Sequence, residues 1–339
     1  MRLLILGGTR FLGRHLAQQA LQAGHRVTLV HRGRSGPDLF PEVEHRIADR
    51  DGDLSALAGG EWDAAIDTCA YVPRQVRAVA GVLAGRVGHY QLVSSISAYA
   101  AFKHPGTTED APLAVLADPG TEAITGETYG GLKALCEAAA MAGFPGHCLI
   151  ARPGLIVGPF DPTGRFTWWP QRLLRGGEVL APGKPAAPVQ FIDARDAAAW
   201  LLLQAESGAT GRFNLSGPVE PTTMGEVLSG AIQALGCDAQ LVWADEAFLL
   251  AQGVAPWTGL PLWLPQESAA MHQTDLARAI ATGLHCRPLA QTVVDTAAWA
   301  ASALPPVLGG PMRPLVGLAP DREAELLAQW RTRSTAAPT

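Results

Sequence analysis

Arg2-Leu3-Leu4-Ile5-Leu6-Gly7-Gly8-Thr9-Arg10-Phe11-Leu12-Gly13 decides the fold of this chain. Arg2 to Leu6 reads as an apolar strand buried on both faces, and a helical pattern at Leu16, Ala20 and Leu21 follows the glycines. The order is therefore strand, tight turn, helix. Glycines let such a turn approach a pyrophosphate closely, and the positive end of the following helix attracts it. Gly7, Thr9, Arg10, Phe11, Leu12 and Gly13 are the first candidates for holding a dinucleotide.

Working outward, the same strand-then-helix unit recurs. A second strand, Arg26 to Val30, runs into His31-Arg32-Gly33-Arg34, where an acidic residue would accept the ribose hydroxyls of NAD. Guanidinium groups there suit a 2′-phosphate, so NADP(H) is preferred over NAD(H), with His31, Arg32 and Arg34 as candidates. Strand Glu44 to Ile47 leads to Asp49-Arg50, placed to flank an adenine ring. Strand Trp62 to Ile66 leads to Asp67-Thr68-Cys69-Ala70, of which Thr68, Cys69 and Ala70 are cofactor candidates and Cys69 reads as a packing residue. A helix over Pro73 to Val87 precedes strand Tyr90 to Val93, which stops at Ser94-Ser95-Ile96-Ser97. Strand Cys148 to Ala151 ends at Arg152-Pro153-Gly154, again beside the site. The pattern predicts an α/β fold with a Rossmann-like, doubly wound parallel sheet over 1–157, completed by about 190–217.

Tyr129-Gly130-Gly131-Leu132-Lys133 carries the chemistry. Residues four apart project from one helix face, and an ammonium beside a phenol stabilises the phenolate, so the free pKa of about 10 comes into working range. With four tyrosines and three lysines in 339 residues, chance supplies only about 0.04 such pairs.

Beyond residue 157 the composition changes. Residues 158–189 and 218–330, rich in Gly, Pro and Trp, predict a smaller C-terminal substrate-binding cap, with Ser97, Arg165, Trp168 and Arg172 as substrate candidates and His272 on the surface. Residues 331–339 are small and polar and predict a flexible tail. A net charge of -5 argues against nucleic acid and membrane as partners, and no apolar run is long enough to span a bilayer. Five scattered cysteines, Cys69, Cys136, Cys148, Cys237 and Cys286, indicate neither a disulfide framework nor a metal site, which fits a cytoplasmic protein.

Taken together, the glycine turn, Ser95, Tyr129 with Lys133, and Arg152-Pro153-Gly154 with Gly158-Pro159 resemble the extended short-chain dehydrogenase/reductases, also called the NAD-dependent epimerase/dehydratase family. The resemblance implies a catalytic set in which Tyr129 exchanges a proton with the substrate oxygen and Ser95, four before Tyr99, orients that oxygen. Lys133 would tune Tyr129 and hold the nicotinamide ribose. Where the family pattern has a middle glycine this chain has Arg10. Where family dehydratases carry an acidic pair it has Ile96-Ser97. The reaction expected is reversible reduction of a carbonyl to an alcohol, on a small carbonyl compound or a sugar nucleotide. The alternatives are nucleotide-sugar epimerisation and, because Gly-Gly-Thr-Arg-Phe resembles chloroplast stem-loop RNA-binding proteins, RNA binding on the same fold. Family members pair the helices over 73–87 and 129–142 into homodimers, and Leu132, Leu135, Cys136 and Ala139 form an apolar stripe there.

Overall fold

The computed structural model describes residues 1–302 and 316–336; residues 303–315 of the expected cap and 337–339 of the expected tail lie outside them. Two compact units emerge. The first comprises Met1–Ile156, Ile192–Val219 and Thr274–Cys286, and the second Val157–Phe191, Glu220–Gln273 and Arg287–Thr339. Thr274–Cys286, grouped with the cap from sequence, thus clusters with the sheet.

The first unit is built on seven strands: β1 (Arg2–Leu6), β2 (Arg26–His31), β3 (Glu44–Ile47), β4 (Trp62–Asp67), β5 (Val87–Val93), β6 (Cys148–Pro153) and β7 (Gly211–Leu215). They pair in the order β7-β6-β5-β4-β1-β2-β3, and the pairings are parallel. The chain leaves β1 towards β2 on one side and returns as β4 on the other, so a crevice opens at the carboxyl ends of β1 and β4. This is the Rossmann-like α/β fold that the apolar strands require.

Both faces of the sheet are covered, which explains why β1 has no polar side chain between Leu3 and Leu6. Helices α1 (Phe11–Gln22) and α4 (Ala194–Ser207) cover one face, where Leu16, Trp200 and Leu201 pack on Leu3 and Ile5. Helices α2 (Pro73–Leu83) and α3 (Tyr129–Gly143) cover the other, with Val76, Val79, Cys136 and Ala140 against Leu4 and Tyr90. Each such large apolar side chain contributes about 1.5–3 kcal/mol on burial.

Three expectations change. Helix α2 ends at Leu83, not Val87, because Val87 is claimed by the sheet as the partner of Trp62. Residues 331–336 are the last turns of helix Pro320–Ala336, not tail. The stripe of α3 is consumed inside the protein: Leu132, Cys136 and Ala139 are buried, and α3 packs on α2. It therefore supplies no argument for a dimer.

In the second unit, Glu178–Pro182 pairs in parallel with Gln240–Ala244, and Pro188–Val189 pairs antiparallel with Thr222–Thr223. Helix Met224–Leu235 starts from a capping box in which Thr223 and Glu226 satisfy each other's backbone, and it packs on helix Leu289–Ser302. Among the described residues no helix is long and apolar enough to cross a membrane, and no cluster of His, Cys, Asp or Glu could hold a metal.

Candidate active site

The carboxyl ends of the strands bring most of the candidates together. The Gly7–Gly13 turn follows β1, Arg32 and Arg34 follow β2, Asp49 and Arg50 follow β3, and Thr68, Cys69 and Ala70 follow β4. Ser95 and Ser97 follow β5, Pro153 closes β6 and Gly154 comes next. Gly13 lies so close to the Gly7 carbonyl that any Cβ would strike it. That bare approach lets α1 pack closely against the end of β1. Arg10, in place of the middle glycine, has extended backbone (φ -139, ψ 136) as the N-cap of α1 and needs no special conformer. The left-handed geometry falls instead on Phe11 (φ 41), a strained conformation for a side chain of that size. The first turn of α1 holds no acid, and Arg10 is exposed.

Several cofactor candidates prove to be committed elsewhere. His31 is buried, with Nδ1 accepting the Gly33 N–H at 3.0 Å and Nε2 2.7 Å from His45 Nδ1, so neither nitrogen faces a ligand. Burial and the neighbouring His45 lower its pKa. Arg50 does not flank an adenine through its guanidinium. The group forks onto the buried Asp67 carboxylate at 2.8 and 2.5 Å, while the Tyr90 hydroxyl donates to the same carboxylate at 2.7 Å. Burial pushes the Asp67 pKa up, but Arg50 and Tyr90 more than offset it, and the carboxyl sits below its ordinary value. The Thr68 hydroxyl donates to the Leu6 carbonyl at 2.8 Å, and burial raises the pKa of the Cys69 thiol, which disfavours the thiolate. Arg32 and Arg34 remain exposed.

On the catalytic side, α3 begins at Tyr129, one turn before Lys133. The intervening glycines have a steric cause: a Cβ on Gly130 would run into the Ser97 carbonyl oxygen, and one on Gly131 into Leu116. The first turn of α3 is thereby pressed against the Ser95–Ser97 turn. Ser95 caps that turn, its Oγ accepting the Ser97 N–H at 3.1 Å. Lys133 is buried and reaches between two strand ends, donating to the carbonyls of Ala70 and Val93 at 2.8 Å each. Burial lowers its pKa. Two of its three N–H donors are thus used by backbone, and the Tyr71 ring lies 5.8 Å from Nζ.

A buried polar network that the sequence reading overlooked supports this turn. Glu137, one turn beyond Lys133, accepts from Ser94 Oγ at 2.6 Å and from Arg152 Nε and Nη2 at 2.9 and 2.6 Å. Arg152 Nη1 donates to the Tyr99 hydroxyl and the Glu109 carbonyl, and Tyr99 donates to Asn214 Oδ1. The signal was present: Glu137 interrupts a Leu/Ala/Cys helix and Arg152 a continuous apolar strand, and charges in such places must be paired.

In the second unit, Arg172 is no substrate ligand. Its guanidinium donates to Glu323 at 2.5 Å and to the carbonyls of Gly176 and Glu178. Trp168 stands edge-on to Trp169, and Arg165 lies over the Trp257 ring at 5.9 Å. His272 is buried rather than on the surface, with Nδ1 accepting the Gln190 N–H and Nε2 2.8 Å from the Leu262 carbonyl.

The sequence model of the NAD dependent epimerase/dehydratase family matches residues 3–216. No curated protein matches. Among solved structures the chain is similar to UDP-glucuronic acid 4-epimerase from Bacillus cereus in complex with NAD, at 15% identity and TM-score 0.64 over 88% of this chain and 96% of that one. It is similar to UDP-glucose 4-epimerase from Thermotoga maritima with UDP-glucose, at 17% and 0.65 over 89% and 99%. A third likeness is to human epimerase family protein SDR39U1 (isoform 2) with NADPH, at 21% and 0.62 over 88% and 99%.

Proposed function

The chain belongs to the NAD dependent epimerase/dehydratase family, and from that premise we propose that it is an NADP(H)-dependent oxidoreductase that reversibly reduces a carbonyl to an alcohol through Ser95, Tyr129 and Lys133. The observation that carries this reading is the contact of the first turn of α3 with the Ser95–Ser97 turn, with Lys133 anchored between the ends of β4 and β5.

The residues present fit a nicotinamide dinucleotide. The Gly7–Gly13 turn would hold the pyrophosphate, Arg32 and Arg34 a 2′-phosphate, and the residues after β4 and β6 the nicotinamide half. When bound, the cofactor supplies or accepts the hydride. The chain's own residues manage the proton. Tyr129 hands its hydroxyl proton to the developing alkoxide, or takes it back in the reverse direction, and Ser95 Oγ donates to the same oxygen to fix its direction. Lys133 holds a positive charge one helical turn away, which stabilises the phenolate, and its third N–H is available to a ribose hydroxyl.

Two features support a reductase. No acid follows β2, so a cofactor that arrives reduced and leaves oxidised is accommodated. Ile96, buried where dehydratases carry an acid, offers no group for eliminating water. Nucleotide-sugar epimerisation is the second reading, favoured by what the similar solved structures are named for. NADPH with a panel of ketones, aldehydes and sugar nucleotides separates the two. Stoichiometric loss of absorbance from the reduced cofactor supports reduction, and conversion of a sugar nucleotide without net loss shows epimerisation. NADPH should bind about tenfold to hundredfold tighter than NADH, as charged hydrogen bonds to a phosphate usually contribute; equal dissociation constants remove the NADP(H) assignment.

A further inference from the structure

We propose that His31 and His45 act as positioning residues for cofactor selectivity: a two-imidazole relay clasps both ends of the loop that carries Arg32 and Arg34. This deepens the NADP(H) reading and rests on it. The loop joins β2 to β3, and its two ends are tied to the same pair of rings. At the near end the Gly33 N–H donates to His31 Nδ1 at 3.0 Å. That nitrogen therefore carries a lone pair, and the ring hydrogen is on Nε2, which donates to His45 Nδ1 at 2.7 Å. His45 is left with its hydrogen on Nε2, which donates to the Phe40 carbonyl at 3.0 Å at the far end. Each hydrogen bond fixes the tautomer needed by the next. The rings meet edge to face, with centroids 5.0 Å apart, and both must be neutral for the chain to close.

The clasp acts where the loop is conformationally expensive. Gly33 (φ 69) and Phe40 (φ 60) are both left-handed, and Phe40 has no glycine's freedom to be so. Between them, a Cβ on Gly36 would stand 3.4 Å from the Thr9 carbonyl oxygen, so the loop passes beside the glycine turn. The clasped loop thus runs beside the glycine turn with its two arginines exposed. A 2′-phosphate dianion on the adenosine ribose is the group that such a pair of guanidiniums recognises. Loosening the clasp leaves the arginines present but no longer arranged, so the loss should fall on the phosphate and spare the remainder of the cofactor.

The test is calorimetric titration of the full chain with NADPH, NADH and adenosine 2′,5′-bisphosphate, for wild type, His31→Ala, His45→Ala, His31→Asn and Arg32→Ala. The two alanine variants should weaken NADPH and the bisphosphate about threefold to tenfold, as expected for losing one neutral hydrogen bond that orders a charged group, and leave NADH within about twofold. His31→Asn keeps an acceptor for Gly33 and should recover much of the loss, which a merely structural role would not predict. If an alanine variant does not fold, His45→Phe, which keeps the ring but has neither a donor for Phe40 nor an acceptor for His31, replaces it. Equal weakening of NADPH and NADH, or none, overturns the relay. A wild-type protein with no NADPH preference overturns the selectivity reading and the relay with it. A preference lost in Arg32→Ala yet intact in both histidine variants overturns the relay alone.

Discussion

Two buried guanidinium–carboxylate pairs lie along the carboxyl edge of the sheet, each linked to a tyrosine hydroxyl, and they are satisfied to different degrees. Arg152 uses Nε and both terminal nitrogens on Glu137, Tyr99 and the Glu109 carbonyl, and Glu137 also takes the Ser94 hydroxyl. Arg50 forks onto Asp67 with its terminal nitrogens, but its buried Nε has no hydrogen-bond partner among the described residues. The Arg152 set joins helix α3 to the residue before Ser95, which over-determines the turn that would carry the proposed catalytic set. The Arg50 set joins the loops after β3 and β4, where the cofactor would lie, and leaves them less constrained. On the proposed function, the chemistry that demands fixed geometry sits on the saturated network.

The largest expected effect tests whether catalysis depends on Tyr129. Tyr129→Phe should lower turnover by about 10² to 10⁴ while leaving cofactor affinity and the unfolding midpoint unchanged, as for loss of an acid/base group. Near-wild-type turnover on an established substrate would remove Tyr129 from the mechanism and leave the contrast between the networks without catalytic meaning.

Breaking each pair comes next. Arg152→Met and Arg50→Met each strand a buried carboxylate and should cost about 3–5 kcal/mol in denaturant unfolding. The charge-conserving changes sharpen the contrast. Arg152→Lys loses three directed bonds at once, whereas Arg50→Lys loses chiefly the second arm of its fork, so the former should be the more destabilising. The reverse ranking would show that saturation is not what separates the two sets.

Gly130→Ala follows, and it touches only the catalytic side. The added methyl meets the Ser97 carbonyl and must push α3 from the serine turn, at about 1–3 kcal/mol, the usual cost of overpacking. Turnover should fall with NADPH affinity little changed; a variant as active as wild type would show that the close approach does not serve the chemistry.

How far the sequence revealed this arrangement depends on whether a residue's partner is near in the chain. The β1 strand, the glycine turn and the Tyr129–Lys133 spacing are local, and each was legible because sterics or helical period act over a few residues. Arg50 was not, because its partner Asp67 is supplied by the next strand and only the folded sheet brings them together. His31 and Arg172 misled for the same reason: a basic residue near an expected phosphate or pocket looks available until His45 or Glu323 is seen to occupy it. Gly130 and Gly131 carried no signal of their own, because their causes are the Ser97 carbonyl and Leu116, contacts with segments distant in the chain.

The smallest effect concerns acid. The Asp67 pKa is lowered in the folded protein, where burial is outweighed by Arg50 and Tyr90. In the unfolded chain it returns to about 3.9. A depressed carboxylate contributes stability that is fully present above the unfolded value and is lost as pH falls through the folded one. Unfolding free energy should therefore drop below about pH 4 with a contribution from Asp67 of at most about 1.4 kcal/mol per pH unit. Asp67→Asn removes that contribution and should flatten the acid limb, even though the variant is less stable throughout. Arg50→Met should reverse the sign: with the guanidinium gone, burial, the largest influence on Asp67, outweighs the remaining Tyr90 and Cys69 hydrogen bonds and raises its pKa, so the same carboxyl then favours the folded state as pH falls. Stability measured by urea unfolding between about pH 5 and 2 reads both slopes. Parallel limbs for wild type and the two variants would mean that Asp67 titrates alike folded and unfolded, and that Arg50 is packed beside it without stabilising its charge.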